Sequence, residues 1–287
     1  MRFMYDCIII GGGPAGLSAA VNMAQRGKQA VVLTAGESLL AKAELVNNYL
    51  GLPEMSGSEM MDTFEKHVRQ MNVEIKHAKA SNVLANDGDF AVNIGDDILT
   101  SKSIILACGA AKAKPVSGES EFLGRGVSYC ATCDGMLYRN RNVAVWGLSE
   151  EAVHEANFLN GIGCKVMYVA GQYPDGLDEK ITYVHGRIEE INGEATVKTF
   201  LCGGVSYSAD CIFILRQAVP TDALISGIEM NGTHVIINEN GATNIEGVYA
   251  AGDMTGTPYQ VSKAVGDAQC AALSCSKYID DKNRGQK

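Results

Sequence analysis

Two cysteines separated by two residues stand beside a carboxylate in the run Cys130-Ala131-Thr132-Cys133-Asp134-Gly135. This spacing lets two thiols close a small-ring disulfide, and the carboxylate can move a proton. A zinc site would need a second ligand pair at finger spacing, and the remaining cysteines are isolated. Plain packing of the two side chains is the third interpretation. The pattern favours a redox-active dithiol over zinc binding or packing.

Glycines follow the first apolar segment of the chain. Residues 5–10 are apolar and β-branched, 17–25 have a helical pattern that Gly27 ends, and 28–34 predict a second strand. In such a strand-helix-strand unit, G-x-G-x-x-G is typical of dinucleotide binding. The first glycine makes the turn, the second admits the pyrophosphate, and the third lets helix and strand pack closely. The candidate binding residues are Gly11, Gly12, Gly13, Pro14, Ala15 and Gly16.

A second unit of the same kind begins near residue 142. A strand over 142–146, a turn at Gly147, a helix over about 150–160 and a strand over 165–170 repeat the pattern. A later strand over 247–253 and a helix over 261–279 predict that the chain returns to the first domain. We therefore predict an α/β fold with two Rossmann-like three-layer domains. The expected boundaries are 1–113 and 242–287 for a discontinuous first domain, with 114–241 inserted as the second.

Composition excludes several classes of protein. The 24 basic and 33 acidic residues give a net charge of −9, which disfavours nucleic acid as a partner. The content of 46% hydrophobic and 20% charged residues is that of a folded globular chain. Nine scattered cysteines suit a reducing compartment better than a secreted disulfide framework. With no leader pattern and no long apolar stretch, we expect a cytoplasmic protein without membrane association.

The segment from Gly124 to Gly135 resembles the active-site segment of the low-molecular-weight thioredoxin reductases. Four further segments share the family pattern, so that the resemblance covers essentially the whole chain: Gly11 to Gly16, Val46 to Gly51, Ala107 to Ala110, and Ala251 to Asp253 before a C-terminal helix. The resemblance implies FAD in the first domain and a homodimer. It also implies a dithiol that delivers electrons to the disulfide of a thioredoxin.

Roles for individual residues come from this resemblance. Cys133 would face the flavin C4a atom, Cys130 would attack the substrate disulfide, and Asp134 would donate a proton. Asp253 would meet the ribityl or phosphate region of FAD, and the last helix would begin where its N–H groups stabilise the anionic reduced flavin. Besides the first glycine turn, the cofactor residues that the resemblance implies are Asn48, Gly109, Gly252, Asp253, Gln260 and Val261.

The second domain departs from that family where NADPH would bind. The turn Gly147-Leu148-Ser149-Glu150-Glu151-Ala152 lacks the second glycine, and its two carboxylates would repel a pyrophosphate. No Lys or Arg occurs from 166 to 179, where the 2′-phosphate needs basic side chains. The family's crossover helix after Ala170 is missing, and the stretch from Leu215 to Pro220 replaces a glycine-containing one. These four departures predict that NADPH binding is lost.

A retained flavin, a retained dithiol and a lost NADPH site resemble the ferredoxin-dependent flavin thioredoxin reductases. Ferredoxin at about −400 mV and thioredoxin at about −270 mV differ by roughly 130 mV, or about 6 kcal/mol for two electrons. Three alternatives stay open: a dithiol oxidase that uses oxygen, an NADPH reductase with an atypical site, and a non-enzymatic flavin redox sensor.

An acidic ferredoxin would need a locally basic surface on this acidic chain. Between residues 112 and 142, basic residues outnumber acidic ones, against the sign of the whole chain. The expected docking residues are Lys112, Lys114, Arg125, Arg139 and Arg141.

Overall fold

The structure is a computed structural model, and it describes residues 4–95, 97–109, 115–149, 151–216 and 220–285. The strands are β1 (Met4–Tyr5), β2 (Cys7–Ile10), β3 (Ala30–Thr34), β4 (Glu74–His77), β5 (Asn82–Asn86), β6 (Asp89–Ile94), β7 (Asp97–Ser101), β8 (Ile104–Leu106), β9 (Val127–Ser128), β10 (Asn142–Leu148), β11 (Lys165–Ala170), β12 (Thr182–His185), β13 (Ile188–Gly193), β14 (Val197–Cys202), β15 (Val205–Ser208), β16 (Cys211–Arg216), β17 (Met230–Asn231), β18 (His234–Val235) and β19 (Val248–Ala250). The helices are α1 (Pro14–Gln25), α2 (Gly57–Gln70), α3 (Ala131–Asp134), α4 (Ala152–Gly161), α5 (Thr221–Leu224) and α6 (Val261–Asn283), and short 3-10 turns cover Leu40–Lys42, Gly135–Tyr138 and Gly252–Thr255.

The chain divides into two compact units. Unit 1 comprises Met1–Lys112 and Pro220–Lys287, and unit 2 comprises Ala113–Val219. The predicted inserted domain ends at residue 241, whereas the structure groups 220–241 with unit 1. Contacts within unit 1 account for this difference, because Ile225 forms a bridge with Val83 of β5 and Asn238 N–H donates to the Ala242 carbonyl.

The described residues of unit 1 form a parallel five-stranded sheet in the order β19-β8-β2-β3-β4. Its strands are short and fully buried in the centre, as in β2 and β8. Helices α1, α2 and α6 supply apolar side chains to one core beside this sheet, including Leu17, Met61 and Ile279. Unit 1 also contains a sheet ordered β1-β7-β6-β5 and the two-stranded sheet β17-β18. The glycine turn after β2 therefore lies at the carboxyl edge of a parallel sheet.

Within its described residues, unit 2 repeats this design with the sheet order β12-β11-β10-β16-β9, all parallel. Helices α3 and α4 pack on one face through Ala131, Ala156 and Leu159. The antiparallel sheet β13-β14-β15 also belongs to this unit. Strand β10 pairs with β11 on one side and β16 on the other, so the strand order reverses beside β10. That switch point is where open α/β sheets bind ligands.

The two Rossmann-like units confirm the predicted fold class. The predicted absence of a crossover helix also holds, since the described residues between β11 and β12 contain no helix. Among the residues that the structure covers, no helix combines the length and apolar character needed to cross a bilayer.

Candidate functional site

The Cys130 and Cys133 sulfurs are joined in a disulfide, with the two Cα atoms 5.4 Å apart. Cys130 is the N-cap of α3, and the Cys133 N–H donates to the Cys130 Sγ at 3.2 Å. Cys133 is exposed and Cys130 is half-buried. Because the sulfurs bind each other, the geometry favours the redox interpretation over zinc. No group of three or more His, Cys, Asp or Glu in the described ranges is placed to hold a metal.

Carboxylates flank this disulfide. The Ser128 hydroxyl donates to Asp134 Oδ2 at 2.7 Å and accepts from the Cys130 N–H at 3.1 Å. From α4, the Glu155 carboxylate accepts a hydrogen bond from the Ala131 N–H at 3.1 Å. The predicted proton donor Asp134, next to Cys133 in the sequence, is therefore held by a serine of β9 that also bonds the Cys130 N–H.

A buried ion pair lies at the carboxyl edge of the unit 2 sheet. Glu119 is fully buried, and its two carboxylate oxygens pair with the guanidinium of Arg216, the last residue of β16. The Tyr129 hydroxyl donates to Glu119 at 2.8 Å. The Arg216 guanidinium carbon also lies 5.7 Å from the Trp146 ring centre. Burial raises the pKa of Glu119, but hydrogen bonds from Arg216 and Val116 outweigh it and hold that pKa below its usual value.

Gly147, the first residue of the degenerate turn of unit 2, packs closely against another part of the protein. A Cβ at Gly147 would lie 2.0 Å from the Tyr168 hydroxyl oxygen, so the glycine is required by packing against a buried tyrosine. Ser149 stands two residues after Gly147, and Glu151 is the N-cap of α4 but makes no side-chain hydrogen bond to the helix. Glu150 lies outside the described residues, as do 217–219 in the replaced stretch.

The three predicted basic docking residues that the structure describes, Arg125, Arg139 and Arg141, are all exposed. The Arg125 guanidinium also donates to the Glu121 and Ala195 carbonyls. Lys112 and Lys114 lie outside the described residues.

In unit 1 the three glycines of the first motif differ in their surroundings. A Cβ at Gly11 would lie 2.0 Å from the Ala107 carbonyl oxygen, and one at Gly16 would lie 1.8 Å from the Gly11 carbonyl oxygen. A Cβ at Gly13 would meet nothing closer than the Ser38 Oγ at 3.5 Å. Gly11 and Gly16 thus allow close backbone packing, and Gly13 leaves the N-terminus of α1 open to a ligand.

The start of α1 suits an anion. Pro14 is its first residue, Gly13 caps it with no side-chain hydrogen bond, and no acidic residue occurs in the first turn. Free N–H groups at a helix N-terminus bind phosphate. Gly12 approaches the Thr34 side chain, and Ala15 lies beside Gly252, where a Cβ would come within 2.8 Å. The glycine motif is therefore adjacent to the Gly252–Asp253 segment.

Two predicted flavin-edge residues meet although they are 212 positions apart. The Asn48 side-chain amide donates to Gln260 Oε1 at 2.9 Å. Gln260 has an extended conformation and precedes Val261, the first residue of α6. Tyr259 is also partnered, through its hydroxyl and His234 Nε2 at 2.8 Å.

Gly109 and Asp253 complete the predicted set. Gly109 has φ +75° and no neighbouring atom where a Cβ would stand, and Ala110 lies outside the described residues. Burial raises the pKa of Asp253 above its usual value, although the nearby Lys263 charge opposes the shift. The open helix ends, the paired amides and this carboxylate fit a flavin dinucleotide in unit 1.

Sequence reasoning missed Glu119, Glu155 and Lys263. The Lys263 ammonium group bonds the Gly252 carbonyl and the Thr255 hydroxyl, each at 3.0 Å, and so ties the Asp253 turn to α6. An arginine that ends a buried strand requires a counter-ion, and this signal could have pointed to a partner for Arg216. No local pattern in the sequence identifies which acidic residue is that counter-ion.

Comparison with known proteins assigns the family. The model of the pyridine nucleotide-disulphide oxidoreductase family matches residues 5–268. A thioredoxin reductase of Treponema pallidum is 31% identical, with 98% of this chain and 99% of that protein covered. The crystal structure of a ferredoxin-flavin thioredoxin reductase from Clostridium acetobutylicum has a TM-score of 0.87 and 39% identity, covering 98% of this chain and 99% of that one. A thioredoxin reductase structure from Gloeobacter violaceus has a TM-score of 0.80 and 30% identity, covering 98% and 95%. The chain therefore belongs to the pyridine nucleotide-disulphide oxidoreductase family and is a homologue of its thioredoxin reductases.

Proposed function

We propose that this protein is a flavin-dependent disulfide reductase that binds FAD, reduces thioredoxin through Cys130 and Cys133, and takes its electrons from reduced ferredoxin rather than NADPH. The observation that carries the proposal is the contrast between a complete dithiol segment and a unit 2 turn that lacks the second glycine and places Ser149 and Glu151 before α4. The names of the relatives support thioredoxin as substrate. The name of the Clostridium acetobutylicum neighbour supports ferredoxin as donor.

When bound, FAD supplies the ability to accept electrons singly and to pass them on as a pair. The residues of unit 1 bind and orient it. The N–H groups at the start of α1 hold the pyrophosphate, and Gly13 allows its close approach. Asn48 and Gln260 fix each other's amides at the flavin edge, and the N-terminus of α6 favours negative charge there.

In unit 2 the reduced dithiol performs thiol-disulfide exchange. The Cys130 thiolate attacks one sulfur of the thioredoxin disulfide, which forms a mixed disulfide and releases one thioredoxin thiolate. The Cys133 thiolate then attacks Cys130 Sγ, which re-forms the enzyme disulfide and releases the second thiolate. The Cys133 N–H beside Cys130 Sγ stabilises negative charge on that sulfur. Asp134 gives its proton to a departing thioredoxin sulfur.

Four features of unit 2 support ferredoxin rather than NADPH as the donor. The Tyr168 hydroxyl occupies the space beside Gly147, and the Arg216 and Glu119 charges satisfy each other at the switch point. From 166 to 179 no basic side chain is available for a 2′-phosphate. The exposed Arg139 and Arg141 offer positive charge to an acidic ferredoxin.

Family resemblance also leads us to propose a homodimer, which light scattering on the purified holoenzyme tests. The donor is tested by anaerobic stopped-flow mixing of the FAD-loaded protein with NADPH or NADH. We expect the flavin absorption band to persist with both nucleotides. Rapid bleaching of the flavin band by NADPH would contradict ferredoxin dependence and indicate an ordinary NADPH reductase.

A further inference from the structure

Ser128 links the backbone of the dithiol to the carboxylate beside it. Its hydroxyl accepts from the Cys130 N–H at 3.1 Å and donates to Asp134 Oδ2 at 2.7 Å. We propose that Ser128 is a positioning residue that holds the Asp134 carboxyl for proton transfer in thiol-disulfide exchange. This inference rests on the proposed disulfide reductase function.

The serine is well placed to fix a carboxylate. Only 5% of Ser128 is exposed, and it lies on β9, which pairs with Phe213 of β16 in the central sheet. A buried hydroxyl on a paired strand has little freedom to leave its partner. The other oxygen of Asp134, Oδ1, has no hydrogen-bond partner among the residues that the structure describes, and Asp134 is half-buried. One oxygen of the Asp134 carboxylate is thus held by Ser128, and the other is available to carry the transferred proton.

This geometry assigns a role to each atom during exchange. As the disulfide of thioredoxin breaks, the departing sulfur takes the electron pair of the S–S bond and the proton of protonated Asp134. Asp134 becomes a carboxylate, and no other oxidant or reductant is needed. The hydrogen bond from the Ser128 hydroxyl holds Oδ2 in a fixed position, which leaves Oδ1 to carry the transferred proton.

In a different interpretation, removal of Ser128 slows the reaction only by disturbing the backbone of the dithiol segment. Ser128 also accepts from the Cys130 N–H, so its removal could disturb the dithiol without involving Asp134. The two interpretations differ in one respect. If Ser128 acts through Asp134, its removal has no further effect once the Asp134 carboxyl is gone.

The test is a double-mutant cycle on a single turnover. FAD-loaded protein is reduced anaerobically with dithionite, freed of excess reductant and mixed with oxidised thioredoxin, so that neither ferredoxin nor NADPH is involved. Acid quenching gives the rate at which thioredoxin thiols appear. The variants are Ser128→Ala, Ser128→Thr, Asp134→Ala and the Ser128→Ala/Asp134→Ala double variant. Ser206→Ala, an exposed serine of the same unit, is the matched control.

We expect Ser128→Ala to lower the rate about tenfold and Asp134→Ala to lower it about a hundredfold. The double variant should match Asp134→Ala, Ser128→Thr should restore the rate, and Ser206→Ala should leave it unchanged. The inference is overturned if Ser128→Ala costs the same factor in both backgrounds, or if either single variant keeps the full rate. Cys130→Ser in the same assay distinguishes failure of the Ser128 inference from failure of the proposed function. Thiol formation by that variant would refute the dithiol function itself.

Discussion

The guanidinium of Arg216 is paired with the fully buried carboxylate of Glu119, 97 residues earlier in the chain. Arg216 stands opposite Leu148 in the register of β16 and β10, at the edge where a Rossmann-type sheet receives a nucleotide. The charge is therefore paired within the protein, while the buried Arg216 Nε has no hydrogen-bond partner among the described residues. Trp146 lies over the same guanidinium, and it is the one tryptophan of the chain.

We expect Glu119→Gln to destabilise unit 2 by about 3 kcal/mol, because it leaves the Arg216 charge without its partner. Hydrogen bonds from Arg216 and Val116 outweigh the effect of burial and lower the pKa of Glu119 in the folded protein. The stability that Glu119 contributes is therefore present above its unfolded pKa of about 4.3 and is lost as pH falls through the folded value. Urea unfolding followed by Trp146 fluorescence should show a wild-type advantage at pH 7 that shrinks below about pH 4.

The matched control is Glu121→Gln, which changes an exposed carboxylate two residues away and should shift stability by less than about 0.5 kcal/mol. Equal stability of the Glu119→Gln and wild-type proteins at pH 7 would show that the pair has no structural role.

Cys130→Ser and Cys133→Ser should both abolish thioredoxin reduction while keeping FAD bound, because each removes one sulfur of the working disulfide. We propose, from the family resemblance, that Cys133 is the sulfur nearer the flavin. On that proposal Cys130→Ser leaves a Cys133 thiolate that donates charge to oxidised flavin, and this variant should gain long-wavelength absorbance that Cys133→Ser lacks. Spectra and thiol titration check both points. Full turnover by either variant would contradict the assignment.

Asp253→Asn should affect the free and FAD-loaded proteins in opposite directions. Burial raises the pKa of Asp253, so its ionised form costs stability, and that cost appears as pH rises through the unfolded and then the folded pKa. At pH 7 the FAD-free variant should be at least as stable as the wild type. Its affinity for FAD should fall about tenfold through the loss of a charged hydrogen bond. Thermal unfolding and FAD titration test this, with the exposed Asp222→Asn as control.

Alkylation should distinguish the free cysteines. Cys270 is exposed, whereas burial raises the pKa of Cys108 to about 11 and also raises that of Cys211. Iodoacetamide at neutral pH should therefore modify Cys270 first in the oxidised protein, and Cys130 and Cys133 only after reduction. Peptide mass spectrometry reports the order. Modification of Cys108 before Cys270 would contradict the buried environment described for it.

Local patterns predicted much of the fold. The strand over 165–170 is found as Lys165–Ala170, because a run of alternating and β-branched residues there is bounded by turn residues. Helix α6 runs to Asn283, beyond the expected 279, since Asp280 and Lys282 find partners in Lys28 and Asp89. The expected first strand is divided into β1 and β2, which belong to different sheets.

The sequence predicted those parts of the candidate site that lie in contiguous residues, namely the dithiol and the first glycine turn. The links that position those residues were not predicted. Glu119 meets Arg216, and Lys263 anchors the Gly252 turn, only after the chain has folded. Residue type restricts the partners of such a group, but the tertiary fold decides which one it meets.

The central claim is that electrons reach thioredoxin from ferredoxin and not from NADPH. The most direct measurement supplies photochemically reduced ferredoxin anaerobically to the FAD-loaded protein and oxidised thioredoxin, and counts the thioredoxin thiols formed. Since ferredoxin carries one electron, we predict one reduced disulfide, and thus two thiols, for every two ferredoxins oxidised, with none formed when NADPH replaces ferredoxin. Thiol formation driven by NADPH would contradict the account, as would no thiols from ferredoxin alongside rapid oxygen consumption with small dithiols.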